Sequence, residues 1–395
     1  MKTEKKIYIL YVFFLVVAAA AVLELGARWR YTKSYLAVNI HKDPVYHHRI
    51  PPYFKGTMQS DGDFNDTFVV NNKGMRGPGD YEVSKLEGVF RIAVLGDSFT
   101  FGVGVKAEET YAYLLQKMLN APQPGKYQVL NFGVSSFSPV LELICLKREV
   151  VHYQPDLLIV ALDLCDIQDD YFYEPHVLYD RYREVDACNP FRTHEGLDLW
   201  AWIKQKSVCL TMLDEKLFQS FRKIKTIGPA AYLRNKIKGV RNKTEILTNP
   251  NIDNIEFDRF IFSRENKNRS IVTAHWKRTA GYLAMIKGFC DRHSIKLLLT
   301  TYPYGHQVGP HEWDKGRRYW AFEPGRVYDA SAAFKTVEIF SRENSIPFIS
   351  LLEPLKRHPD EKLYYHNDGH WTARGHEVVA ESLFQSEVFK KLARS

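Results

Sequence analysis

The sequence predicts an α/β fold in which helices cover both faces of a central parallel sheet, and three observations point to it. Short apolar strands alternate with helical segments from Arg91 onward, and the alternation resumes after an interruption. A Gly-Asp-Ser turn closes the first strand, and an Asp-x-His segment precedes the last helix. Such alternation builds βαβ units, which put helices on both sides of one sheet. A chain of 395 residues buries a core far larger than an independent fold requires.

Residues 1–33 are read as an N-terminal membrane anchor. Ile7 to Leu23 is an unbroken apolar run between Lys2, Lys5 and Lys6 on one side and Arg28, Arg30 and Lys33 on the other. With Glu24 and Leu25 it reaches the roughly 20 residues a bilayer crossing needs. A cleaved signal peptide is the rival, since Ala18 to Ala21 offers small residues after a basic lead and an apolar core. The run is longer than most such cores, which favours a single-pass anchor. Basic residues at both ends weaken the charge argument for orientation. A lone N-terminal segment with a short basic lead commonly exports the rest of its chain, so the body is expected outside the cytoplasm.

Residues 34–90, rich in Pro, Gly, Asn and Asp, read as an irregular lead-in. Strands are expected at Arg91–Leu95, Tyr127–Phe132 and Asp156–Leu162, with helices at Glu109–Asn120 and Val140–Val151. Residues 171–270, aromatic and basic and broken by Pro175, Pro190, Pro229 and Pro250, read as an insertion that caps the sheet or forms a lid. Helices at Ala274–His293, Val327–Asn344 and from Ala373, with strands at Ile295–Tyr302 and Pro347–Leu351, complete one domain over 91–395.

Composition is that of a globular protein, with 45% hydrophobic and 25% charged residues, which argues against disorder outside the termini. The net charge of +8 is scattered among acids. Its densest stretch, Arg222 to Lys243, reads as a solvated helical face, and no recognised binding module accompanies it, so no nucleic-acid partner is expected. Of the five cysteines, Cys145, Cys165, Cys188, Cys209 and Cys290, three sit in apolar stretches as small core residues. Cys188 and Cys209 lie in the polar middle region, where an extracytoplasmic location would allow them to pair.

The chemistry is concentrated in two motifs. Ser98 ends the run Arg91-Ile-Ala-Val-Leu-Gly-Asp-Ser, and His370 and Asp368 belong to Asn367-Asp-Gly-His-Trp. A serine hydroxyl is a poor nucleophile at neutral pH and needs a base within hydrogen-bond reach, a role that suits histidine. Asp368, two residues before His370, is placed to fix the imidazole tautomer and stabilise the imidazolium. Ligands of open α/β sheets bind beyond the carboxyl ends of the strands, where Ser98 lies. Asp97 reads as an orienting or capping residue, and His306 and Gln307 as surface loop residues that could reach substrate. Gly102-Val-Gly104 lacks the Lys and Ser/Thr of a phosphate loop. His366 and His370 have the spacing of two metal ligands but lack the glutamate of the zinc-protease motif. His47 and His48 read as solvent-exposed. No cofactor and no metal are expected.

These blocks resemble those of the SGNH, or GDSL-type, hydrolase superfamily, from roughly Asn71 to Leu392 apart from the insertion. Gly96-Asp97-Ser98 is similar to the first block and Asn131-Phe-Gly133 to the second. The resemblance implies a three-layer, flavodoxin-like core and oxyanion donors at the Ser98 and Gly133 N–H groups. Asp368-Gly-His370 is similar to a subset with Asp-x-His-Trp, which includes membrane-associated proteins similar to exopolysaccharide O-acetylation factors. The third block departs: Asp163-Leu-Cys165-Asp166 carries Cys165 where the family places an oxyanion-donating Asn. A thiol is a weak donor. Either another group, such as Gln168 or Asn131, supplies the hydrogen bond, or catalysis is slow.

Three functions arise as expectations. Hydrolysis of an acyl ester through an acyl-enzyme is the first. Transfer of the acyl group to the hydroxyl of an extracytoplasmic polysaccharide is the second. A catalytically weak glycan- or partner-binding module on the same fold is the third, marked by a buried Ser98 or by an Asp368 turned away from His370. The expected substrate is an acyl ester or acylated glycan, met by a protein tied to the membrane.

Overall fold

The computed structural model describes residues 2–31, 42–193 apart from 61 and 78, scattered positions from 196 to 213, and 269–394 apart from 321. The basic run 222–243 and most of the expected insertion lie outside the described residues. Helix α1, Lys2–Tyr31, opens the chain. Within it Lys6–Arg28 is long and apolar enough to cross a membrane.

Five parallel strands form the central sheet: β1 (Phe90–Gly96), β2 (Tyr127–Asn131), β3 (Leu157–Leu162), β4 (Lys296–Thr301) and β5 (Phe348–Ser350). Their spatial order is β2-β1-β3-β4-β5. This is the doubly wound, flavodoxin-like order, whose direction of winding reverses between β1 and β3. Ile92 pairs with Leu157 and Gly96 with Ala161, so these two strands end side by side.

Alternation along each strand separates two cores. Ala93, Leu95, Leu158, Val160, Leu162 and Leu299 pack with α4 (Pro139–Arg148), α6 (Arg269–Arg292) and α7 (Ser331–Glu343). Ile92, Val94, Val129, Ile159 and Leu298 pack with α3 (Tyr111–Asn120) and α8 (Ala373–Gln385). The strands are apolar throughout because both faces are covered. The three layers are those expected, with element ends displaced by a few residues.

The lead-in is more ordered than its composition suggests. Lys55–Ser60 and Phe64–Val69 form an antiparallel hairpin. Met58, Phe64 and Phe68 from it bury against Phe101 and Val103, giving a third small core beside the serine turn. His48 is buried, with Nε2 2.8 Å from the Ser135 carbonyl oxygen, and His47 packs on Tyr173. The expected exposure of this pair is therefore corrected: the two rings fill a gap between the lead-in and the loop after β2. Cys188 is fully buried with its thiol toward the Tyr173 carbonyl, and all five cysteines are free. The pairing with Cys209 is not formed.

Candidate active site

Backbone constraints build the serine turn at the end of β1. A β-carbon at Gly96 would lie 2.2 Å from Thr100 Oγ1, so only glycine fits. Asp97 Oδ1 accepts the Phe99 N–H at 2.9 Å, capping the short helix α2 (Ser98–Phe101). The Tyr302 hydroxyl donates to the same oxygen at 2.8 Å. Gly102, in the left-handed region at φ 85°, ends the helix. Ser98 is thus presented at the mouth of the switch point between β1 and β3.

Asp368 and His370 arrive on the loop before α8. His370 Nε2 lies 2.7 Å from Ser98 Oγ. Its Nδ1 is hydrogen-bonded to Asp368 Oδ1, which also accepts the His370 N–H at 3.0 Å. A carboxylate at Nδ1 assigns the ring proton there, leaving Nε2 to accept from the serine hydroxyl. Burial opposes charge on His370, but the Asp368 carboxylate and its hydrogen bond outweigh burial, and the net pKa shift is upward. Burial likewise raises the Asp368 carboxyl, but the facing imidazole outweighs it and the net shift is downward. Phe99 packs on the His370 ring at 4.8 Å between centroids.

Asp63, in the turn of the lead-in hairpin, carries no motif that marks it in the sequence. Its carboxylate accepts the backbone N–H groups of Asn367 and Asp368, each at 2.8 Å, and of His366 at 3.1 Å. Trp313 Nε1 donates to the Asn367 carbonyl at 3.1 Å. Together they fix the loop that aims Asp368 and His370. An acidic residue more than 300 positions upstream leaves no local signal of this role.

Gly133 is not brought to this site. Its N–H donates to Asn131 Oδ1 at 2.9 Å, and it lines a separate small cavity with Tyr46 and Glu149. A β-carbon there would lie 2.4 Å from Phe101 N, so close packing behind the serine helix accounts for the glycine. Ser136, three residues on, lines the Ser98 cavity and has a left-handed φ of 62°. Asn131 is a buried brace, with Nδ2 donating to the Thr100 carbonyl at 2.7 Å. Cys165 lines the cavity, and its thiol meets the Tyr304 hydroxyl.

The cavity over Ser98 holds about 480 Å³. Tyr304, His306, Trp313, Trp320 and Phe322 give it an aromatic wall, and the acidic residues Asp163 and Asp169 also line it. His306 and Gln307 are buried rather than on a surface loop: His306 stacks on Phe322 at 3.8 Å, and Gln307 accepts the Tyr304 N–H at 2.9 Å. His366 turns from His370 to Asp314, with Nδ1 2.5 Å from Oδ1. Cys165, Asp166 and Asp169 bring ligand-type atoms within 4.8 Å of one another. Burial pushes the Asp166 carboxyl well above its usual range.

No family model matches the chain, and no curated protein matches it. Among solved structures it is similar to TesA, at 12% identity and a TM-score of 0.36, covering 76% of this chain and 99% of that one. It is also similar to a catalytic mutant of Axe2, an acetylxylan esterase from Geobacillus stearothermophilus, at 12% identity and a TM-score of 0.37 over 79% and 97% of the two chains. A third is a GDSL-like lipase from Bacteroides thetaiotaomicron, at 13% identity and a TM-score of 0.33 over 76% and 88%. At these scores none of those activities carries over to this chain.

Proposed function

We propose that the chain is a membrane-anchored serine hydrolase of acyl esters, of the SGNH type its motifs resemble, working outside the cytoplasm. The observation that carries this reading is the unbroken hydrogen-bond chain Ser98–His370–Asp368, opening into a cavity large enough for an ester. His370 takes the Ser98 proton as the hydroxyl adds to the acyl carbonyl. The tetrahedral oxyanion is held by N–H groups of Ser98 and Ser136, and His370 then protonates the departing alcohol. The Ser98 N–H, in the first turn of α2, is one of the donors that a helix leaves without an internal partner. Water attacks the acyl-enzyme in the second half, with His370 again the base. The half-buried Ser98 and the His370-facing Asp368 are the opposite of what a binding module would need.

The experiment is covalent labelling of the full-length protein by a fluorophosphonate, read by intact mass, beside turnover of a nitrophenyl acetate. One label per chain is expected, absent in Ser98→Ala, with turnover lowered at least about 1,000-fold in His370→Ala. A folded protein that takes no label overturns the reading. Transfer to a sugar hydroxyl is the second reading, and the aromatic wall favours it, because flat rings suit the C–H faces of a sugar. An acylated saccharide formed faster than free acid when acceptor is added would establish it.

A further inference from the structure

We infer that His48 is a positioning residue of the oxyanion site: its Nε2–H holds the Ser135 carbonyl and so aims the Ser136 N–H, on the other edge of the same peptide, into the Ser98 cavity. The inference rests on the proposed serine chemistry and names the group that orients its second oxyanion donor. His48 Nε2 lies 2.8 Å from the Ser135 carbonyl oxygen, and His48 Nδ1 lies 2.9 Å from His47 Nδ1. Burial lowers the pKa of both rings, so both are neutral at pH 7 and each carries one N–H. A carbonyl oxygen only accepts, which places the His48 proton on Nε2. His48 Nδ1 is then an acceptor, and His47 donates to it from Nδ1. One carbonyl thus fixes the tautomers of two adjacent imidazoles.

A peptide unit is rigid, and this carries the contact to the oxyanion. The Ser135–Ser136 bond is trans, so its C=O and N–H point in opposite directions within one plane. His48 is buried and takes the carbonyl edge, whereas Ser136 is exposed and lines the cavity with Ser98. The Ser136 N–H donates to no other group among the described residues. Its neighbouring peptide is gripped as well. Tyr173, at the end of α5 (Asp166–Tyr173), donates its hydroxyl to the Ser136 carbonyl at 2.8 Å, and the His47 ring packs on Tyr173 with 4.7 Å between centroids. The left-handed φ of 62° at Ser136 is a state that serine keeps where its surroundings impose it. His48 in turn is fixed by the lead-in: His47–His48 pairs antiparallel with Lys42–Asp43, and the His48 ring meets Phe137 edge-on at 5.3 Å. The lead-in therefore reaches both halves of the site, the base through Asp63 and the oxyanion through His48.

The test is the turnover of nitrophenyl acetate by full-length wild type, His48→Phe and His48→Gln in detergent, with active sites counted by the final stoichiometry of fluorophosphonate labelling so that unfolded protein does not enter kcat. His48→Phe keeps a ring beside Phe137 and loses the donor. Its kcat per site should fall about ten- to 100-fold with KM within about twofold, a part of the roughly 100- to 1,000-fold that loss of a whole oxyanion donor costs. His48→Gln, whose side-chain amide restores an N–H donor, should return to within about threefold of wild type. Nitrogen-15 spectra of the wild-type histidine rings should show His48 protonated at Nε2. An undiminished kcat per site in His48→Phe, equal losses in both variants, or a His48 proton on Nδ1 overturns the inference. A folded wild type that takes no label defeats the hydrolase reading itself, a result distinct from an active wild type whose His48→Phe variant turns over at full rate.

Discussion

At the scale of single residues, His370 must be neutral at Nε2 to accept the serine proton. Burial lowers its pKa, the Asp368 carboxylate raises it, and the net direction is upward. The neutral form therefore gains its population only above histidine's usual range of about 6.5, and kcat/KM should rise with pH along an acid limb centred above that value. Asp368→Asn removes the largest of the influences that raise the pKa, while burial, which lowers it, remains. The limb should then move to lower pH, and kcat should fall by about 1,000-fold or more because the ring loses its tautomer and its stabiliser. A pH–rate profile of the two proteins checks both; an acid limb unmoved by the substitution would contradict the assignment of Asp368. Ser136 and Cys165 divide the oxyanion question between them. Ser136 is exposed and lines the cavity, whereas the Cys165 thiol is turned to Tyr304.

At the scale of elements, the loop that carries Asp368 and His370 is held from outside the α/β layers. The lead-in hairpin buries Met58, Phe64 and Phe68 against α2 and the segment after it, and this packing sets Asp63 beneath residues 366–368. Three N–H groups converging on one carboxylate fix the loop backbone far more tightly than a turn alone. Asp63→Ala leaves those donors to water and frees the loop. A fall in kcat of about ten- to 100-fold is expected, since displacement of about 1 Å can cost 100-fold. Circular dichroism should be preserved, because the hairpin core does not include this carboxylate. Asp63→Asn, which keeps one acceptor oxygen, should retain more activity than Asp63→Ala; equal activity in all three proteins would show that the loop holds itself.

At the scale of the whole molecule, an apolar helix precedes a globular α/β body whose cavity opens at the carboxyl ends of its strands. The exposed side chains of Ile7, Leu10, Phe13, Phe14 and Val16 would meet water along one helix, which favours lipid around it. The full-length chain should stay with membranes through an alkaline carbonate wash, and its intact mass should include residues 1–31. A mature mass beginning near residue 22 would make the segment a cleaved signal peptide instead. The body should be cut by protease added to intact cells or spheroplasts if it lies outside the cytoplasm.

Much of this architecture was legible in the sequence because it depends on local order. Strands buried on both faces read as apolar runs, helices as periodic ones, and Asp97 as the residue that orients or caps the turn after the first strand. The partnership of Ser98 with Asp368 and His370 was legible because the motifs carry residue types that make chemical sense only together. The tertiary structure alone decided what depends on distant backbone. Asp63 grips a loop 303 to 305 residues away. Gly133 turns to Asn131 while Ser136 reaches the cavity, because the loop after β2 packs its glycine against the back of α2. Asp97 and Asp163 come together because two strands far apart in the chain end side by side at the point where the sheet reverses its winding. Sequence order records what each residue is, but burial and hydrogen-bond partners set the charge it carries, and only folding assigns those.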